Sequence, residues 1–314
     1  MNIAFFGTPL FAAAQLKHLI DSGYRISVVI TAPDKPAGRG RTLSSSAVKN
    51  LAQEYDLTVW QPSDLKNPEF VQAYKALKID IAVVVAFRML PKAIWSSARI
   101  GTFNLHASLL PQYRGAAPIQ WALINGEEVT GLTTFLIDEQ IDTGSILLSK
   151  SYTIAKNETG GSLHDSLLEL GKALIIETIT GLENTTLTPS PQTDDHTNLK
   201  SAPKLTKENT RLSPSLSASQ AQRLVNALNP FPAAHGELVH PSGKRIKVKM
   251  WSVELSNFDQ LAPEGTLVIE DKTILIRFKN GWIKVLEWQL EGKKRVSIAD
   301  FLNGNSNLSG YKWA

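Results

Sequence analysis

Ile81-Ala82-Val83-Val84-Val85-Ala86 is apolar at every position. A strand with one face in water alternates apolar and polar side chains, so an unbroken apolar run reads as a strand covered by helices on both faces, the setting of a parallel sheet. Working outward, Asn2 to Phe6 is a similar run ending at Gly7, and Phe11 to Ser22 places Leu16, Leu19 and Ile20 on one helical face. Strand and helix alternate again through Ile26 to Ile30, Ala47 to Glu54, the short run Val59 to Gln61 and a helix opened by Pro68. Proline suits a first helical turn because the N–H it lacks has no partner there. This alternation predicts an α/β domain with a Rossmann-like, doubly wound, mostly parallel sheet. A helix after Ser162, where Ser162-x-x-Asp165 has the spacing of a capping box and Leu163, Leu167, Leu170 and Leu174 share a face, is expected to close it.

A chain of 314 residues is longer than one core usually serves, and two domains are expected. From Gly181 to Ser201 the sequence is rich in Thr, Pro, Ser and Asn without periodicity, as in an exposed linker. Beyond it, Ser217-x-x-Gln220 caps a helix through Leu228, and Lys244 to Trp251, Thr273 to Phe278 and Trp282 to Trp288 alternate as antiparallel strands do. The reading is therefore a first domain over 1–182, a linker over 183–207 and a smaller OB-like β-barrel domain over 208–314. The net charge is +4, and the excess of Lys and Arg falls in the second domain, at Lys244, Arg245, Lys247 and Lys249 and at Lys293, Lys294 and Arg295. Such clusters suit a solvated strand face as well as a phosphate-binding one. There is no cysteine, which excludes disulfides, a thiolate nucleophile and a Cys-ligated metal. No secretory leader or membrane-length apolar run is present, so a soluble cytoplasmic protein is expected.

Gly7-Thr8-Pro9 stands where a dinucleotide-binding loop would lie but lacks its glycines, which argues against NAD and FAD, and no Walker sequence follows a strand. The distinctive stretch runs from Gly101 to Gly115. If Thr102 to His106 is a strand, Asn104 and His106 share a face, because strand side chains repeat every two residues. An amide donor beside an imidazole suits acyl transfer, in which the attacked carbonyl develops an oxyanion that needs fixed hydrogen-bond donors. A core histidine beside a turn-forming asparagine has the same spacing. A second polar loop, Ile137-Asp138-Glu139-Gln140-Ile141-Asp142-Thr143-Gly144, lies between two apolar runs. A carboxylate there can orient a histidine, and Asp142 is the candidate, although Asp-Thr-Gly also makes an ordinary turn.

Phe103-Asn104-Leu105-His106 followed by Ser108-Leu109-Leu110-Pro111-x-Tyr113-Arg114-Gly115-x-x-Pro118-Ile119, with Asp142-Thr143-Gly144, resembles the signature of the 10-formyltetrahydrofolate-dependent formyltransferase family. The resemblance runs nearly end to end. It implies Asn104, His106 and Asp142 as catalytic residues, 10-formyltetrahydrofolate as a consumed formyl donor, and no metal. It also implies a folate site at Ser108, Leu109, Leu110 and Pro111, with Arg88, Met89, Leu90 and Asp138 in the same pocket. Where many members show Ala-Tyr-Gly this chain has Ala86-Phe87-Arg88, and Arg88 is expected to face solvent. Phe6-Gly7-Thr8-Pro9, the basic loop Pro33 to Arg41, Ala202-Pro203-Lys204-Leu205-Thr206, Asn229-Pro230-x-Pro232 and Glu291-Gly292-Lys293-Lys294 resemble the tRNA-acting members. That narrower likeness implies initiator methionyl-tRNA as acceptor, with Lys35, Arg39 and Arg41 and, in the second domain, Lys247 and Lys249 as its contacts. A monomer is expected. Members acting on amino sugars can share the second domain, so the acceptor rests on these further segments.

Overall fold

In a computed structural model, Ile81–Val85 is buried at all five positions and sits inside a seven-stranded sheet. It runs parallel to Ile3–Gly7 on one side, with Ile3 opposite Ile81, and to Gly101–His106 on the other, with Ile81 opposite Gly101. Ile26–Ile30 and Val59–Trp60 extend the parallel part beyond Ile3–Gly7. Val129–Leu136 and then Ile146–Thr153 add antiparallel strands beyond Gly101–His106. The structure describes residues 1–37, 42–192, 197–304 and 308–314. It divides into one unit made of 1–118, 129–153 and 164–201 and another made of 119–128, 154–163 and 202–314.

Helices cover both faces of the first sheet, as the unbroken apolar strands require. Ala4, Phe6, Val28, Ile30, Ala82 and Val84 form one buried cluster with Tyr74 of helix Pro68–Ala76 and Ile94 of helix Lys92–Trp95. Asn67 caps the first of these helices by accepting from Glu69 N at 2.8 Å. The opposite face takes helix Leu10–Asp21, and Gly7 shows how closely. A Cβ on Gly7 would stand 2.6 Å from Ala12 Cβ, so any side chain there would push the helix off the strand. Helix Gly160–Glu183 lies on that face too, where a Cβ on Gly171 would meet Gln15 and Leu105 at 3.1 Å.

Two boundaries depart from the sequence reading. The long helix starts at Gly160, ahead of Ser162: Thr159 Oγ1 accepts from Ser162 N at 3.1 Å while Thr159 N donates to Ser162 Oγ at 3.0 Å. That reciprocal cap precedes two glycines, which carry no periodicity to announce a helix. The linker expected from Gly181 begins within the same helix and is partly tied down, since Ser190 and Ile146 exchange backbone hydrogen bonds of 2.7 and 2.9 Å.

In the second unit Ser217 and Gln220 form the expected capping box at the start of helix Ala218–Leu228. The strands of its sheet are Ala234–Val239, Arg245–Ser256, Leu267–Glu270, Thr273–Phe278, Gly281–Leu290, Val296–Ser297 and Lys312–Trp313. They pair antiparallel into a barrel-like sheet. Lys312–Trp313 pairs with Ala234–Val239 on one side, and Lys312 bridges Thr266, next to Leu267–Glu270, on the other, which brings the two edges of the sheet together. Trp313 is 2% exposed, donates from Nε1 to Leu212 O at 2.6 Å, and lies where a Cβ on Gly236 would clash at 2.3 Å. Among the described residues no helix is long and apolar enough to cross a membrane.

Trp313→Ala removes both the ring and the closing hydrogen bond and is expected to cost roughly 3–5 kcal/mol, measured as a lowered urea midpoint for the second unit. In the first unit Asp80 accepts from Asn2 N and from Arg99 Nε, each at 2.7 Å, and these bonds hold its carboxyl below its ordinary value of 3.8. A depressed carboxyl stabilises the fold above its unfolded value, and that contribution disappears as the pH falls through the folded value. Asp80→Asn is therefore expected to flatten the loss of thermal stability below about pH 4, and an unchanged acid limb in a melting series would refute this.

Candidate active site

The strand Gly101–His106 carries Asn104 and His106 two residues apart, on the face opposite Leu105. His106 is 6% exposed, and its Nε2 lies 2.8 Å from the carbonyl oxygen of Tyr113. A carbonyl only accepts, so this bond places a proton on Nε2 and leaves Nδ1 as the nitrogen whose protonation can change. Nδ1 is 3.7 Å from Asp142 Oδ2. The structure therefore brings His106 and Asp142 together. Asn104 is half-buried, and among the described residues its side-chain amide has no partner.

Asp142 comes from the loop joining Val129–Leu136 to Ile146–Thr153 and sits at φ 58°, a left-handed conformation that aspartate tolerates better than most side chains. Ala86 and Tyr113, at φ 48° and 61°, are likewise left-handed in the loops after Val85 and His106. Such backbone persists only where the surroundings hold it, and it concentrates around sites. Several contacts hold this loop. Gly115 N donates to Asp142 Oδ2 at 2.9 Å. Asp138 accepts from Thr143 Oγ1 at 2.9 Å and from Gln140 N at 2.9 Å, so its carboxylate braces the loop internally. The Lys92 ammonium, 2.6 Å from Glu139, holds that carboxyl below the usual range.

Gln192 was not among the residues expected from the sequence. Its Nε2 donates to the carbonyls of Asp142 and Gly144 at 2.9 and 2.8 Å, and its Oε1 accepts from Arg114 Nε at 3.1 Å and from a second Arg114 nitrogen at 2.6 Å. It lies 50 residues from Asp142 in a Thr- and Pro-rich stretch that offers no periodicity, so no local signal marks it. Thr133 was also missed. Fully buried, it donates to Ser108 O at 2.8 Å and accepts from Leu110 N at 3.1 Å, fixing the stretch Ser108, Leu109, Leu110 and Pro111. Its strand Val129–Leu136 also carries Thr130 and Thr134, so no local signal singles Thr133 out.

The other expected residues are placed as follows. Arg88 is exposed, but it does not simply face water: its guanidinium donates to Ser63 O at 2.8 Å and to Pro62 O, tying the segment after Val85 to that loop. Met89 is 63% exposed and Leu90 is buried. Lys35 is exposed, whereas Arg39 and Arg41 lie outside the described residues. Lys247 and Lys249 point outward from their strand; Lys247 pairs with Glu291 at 3.1 Å, and Lys249 Nζ reaches Pro232 O at 3.4 Å.

Residues 1–179 match the formyl transferase family and residues 204–306 match the formyl transferase C-terminal domain. The chain belongs to the formyl transferase family. It is 44% identical to the methionyl-tRNA formyltransferase of Flavobacterium johnsoniae, covering 97% of this chain and 96% of that protein. It is 42% identical to the methionyl-tRNA formyltransferase of Bacteroides thetaiotaomicron, covering 99% and 98%. In fold it is similar to an N-formyltransferase of Helicobacter canadensis solved with folinic acid and dTDP-3-aminofucose, with a TM-score of 0.65 at 18% identity, covering 94% of this chain and 99% of that one. HypX of Aquifex aeolicus, solved with tetrahydrofolic acid, aligns with a TM-score of 0.63 at 18% identity over 96% of this chain, which spans 46% of HypX.

Gln192→Ala removes donors from two carbonyls of the Asp142 loop. A displacement of about 1 Å at a reaction centre can cost on the order of a hundredfold, and a loss of that order in kcat is expected, with little change in KM. Gln192→Glu keeps an acceptor for Arg114 but lacks the two donors, so it should fall with the alanine variant. Parental kcat in both would show that the loop is held without this residue.

Proposed function

We propose that this formyl transferase moves the formyl group of 10-formyltetrahydrofolate to the α-amine of methionine carried on initiator tRNA, in support of translation initiation. The observation that carries the proposal is the near full-length match, across both units, to methionyl-tRNA formyltransferases. The arrangement of Asn104, His106 and Asp142 supports the chemistry. In the proposed mechanism the neutral amine attacks the formyl carbon, forming a new C–N bond. The carbonyl electrons move onto oxygen, where the Asn104 amide and protonated His106 Nδ1 donate to the oxyanion. Asp142 balances the charge on the imidazole and helps carry the proton lost by the amine. Collapse breaks the bond from the formyl carbon to folate nitrogen, which takes up a proton and leaves as tetrahydrofolate. No covalent formyl-enzyme is needed, because the amine is itself the nucleophile.

The folate is proposed to lie along Ser108, Leu109, Leu110 and Pro111 and beside Arg88, Met89, Leu90 and Asp138. With the Arg88 guanidinium on two carbonyls, its contribution there is to shape the loop. Residues 1–182 act as the catalytic domain and 208–314 as the tRNA-binding domain, with 183–207 between them. Lys35, Arg39, Arg41, Lys247 and Lys249 are proposed tRNA contacts. A cytoplasmic monomer is the proposed working form.

The deciding experiment offers the purified chain 10-formyltetrahydrofolate with initiator methionyl-tRNA, an elongator methionyl-tRNA or a nucleotide-linked amino sugar. Formylation of the initiator tRNA alone is expected, and turnover of the sugar without the tRNA would overturn the proposal. His106→Ala and Asn104→Ala should each lose about a hundredfold or more in kcat, the usual cost of one oxyanion donor. Asp142→Asn keeps the shape and removes the charge, so a large fall in kcat with little change in folate affinity is expected. Parental turnover in any of these variants removes that residue from the reaction centre.

A further inference from the structure

Phe231 is 80% exposed, yet the loop that carries it is held from several sides. Gly161 N donates to Asn229 O at 2.9 Å, Asn229 Nδ2 donates to Trp251 O at 2.8 Å, and Ala233 N donates to Leu228 O at 2.9 Å. Pro230 packs so closely that a Cβ on Gly161 would stand 2.6 Å from its Cδ. Proline on each side of Phe231 restricts the backbone further. A phenylalanine ring is among the side chains that stabilise a fold most when buried, and here a fixed loop presents it to solvent.

Its surroundings are cationic and aromatic. Arg245, Lys247 and Lys249 alternate along the outward face of one strand. Arg245 is paired with Glu237 at 2.8 Å and Lys247 with Glu291 at 3.1 Å. Among the described residues Lys249 has no carboxylate partner, and its ammonium reaches the carbonyl of Pro232, the residue after Phe231. Trp251 follows on the same strand, with the Arg295 guanidinium 4.7 Å from its ring centroid. A bare ring with an unneutralised ammonium on the carbonyl of the next residue suits an unpaired nucleotide, whose base offers a π face and whose phosphate lies one sugar away. A base inside a duplex is already stacked on both sides and gains nothing from the ring.

We propose that Phe231 and Lys249 form a stacking site for an unpaired nucleotide of the RNA substrate. The inference rests on the tRNA reading above and adds a residue and a mode of binding to it. The test uses the full chain and its Phe231→Ala, Phe231→Leu, Phe231→Trp and Lys249→Ala variants, titrated with initiator methionyl-tRNA, a short single-stranded RNA and a fully paired RNA duplex at several salt concentrations. Phe231→Ala is expected to weaken binding of the tRNA and the single strand about tenfold, within the range for one stacked base, without changing the salt slope or the melting temperature. Phe231→Trp should bind at least as tightly as the parent. Lys249→Ala should reduce the salt slope by roughly 0.7 to 0.9 unit. Should Phe231→Ala fold poorly, Phe231→Leu against Phe231→Trp makes the same comparison, since leucine keeps apolar bulk without a π face. Equal single-strand binding by the leucine and tryptophan variants, or an equal loss on the duplex, overturns the stacking site. If the parent formylates tRNA and Phe231→Ala matches it in binding, only this inference fails; if the parent neither binds nor formylates tRNA, the proposed function fails with it.

Discussion

The carboxylate of Asp142 accepts the backbone N–H of Gly115, and that bond joins the two loops from which the candidate site is built. One loop carries the carboxylate, while the other supplies the Tyr113 carbonyl that fixes the proton on His106 Nε2. With the imidazole so oriented, Nδ1 is left toward Asp142. Gln192 reinforces the same junction from a third segment, gripping Arg114 with its oxygen and two carbonyls of the Asp142 loop with its nitrogen. Among the described residues the side-chain amide of Asn104 has no partner, and His106 Nδ1, 3.7 Å from Asp142 Oδ2, stands just beyond hydrogen-bond distance of it.

Holding such a junction requires backbone that few residues accept. A Cβ on Gly144 would lie 1.6 Å from the carbonyl oxygen of Leu136, a clash with main chain that no side-chain rotation relieves. Gly7 meets a similar limit where helix Leu10–Asp21 approaches the first strand. Beneath these constraints the buried parallel strands form a rigid base. Loops held on a rigid base can keep left-handed residues such as Ala86, Tyr113 and Asp142, which a looser fold would relax.

In the second unit the structure changes what the basic residues mean. As a list of charges, Arg245, Lys247, Lys249 and Arg295 look like one positive stripe. In place, Arg245, Lys247 and Arg295 each face a glutamate, so most of that stripe is locally neutral. Exposed pairs of this kind contribute little to stability and can be exchanged for phosphate contacts at small cost. Of these four, and among the described residues, Lys249 alone has no carboxylate partner, and its ammonium reaches the carbonyl of Pro232, next in sequence to the exposed Phe231.

By itself the sequence determined the elements and their class, because both depend on short-range periodicity. Ile81 to Val85 read as a strand covered on both faces, although the run continues to Ala86, which lies in the following loop; Ser217 and Gln220 could mark a helix start, and Asn104 and His106 had to share a face once Gly101–His106 was extended. Where periodicity was interrupted by glycine, as before Ser162, the boundary was misplaced. Which polar groups meet was decided only by the tertiary structure. Asp142 beside His106, Gln192 across Arg114 and the Asp142 loop, Arg88 on the Pro62 and Ser63 carbonyls, and Lys247 against Glu291 are all contacts between distant segments. Such contacts follow from how strands and loops pack, and a hydrogen bond leaves no repeating trace in the residues on either side of it.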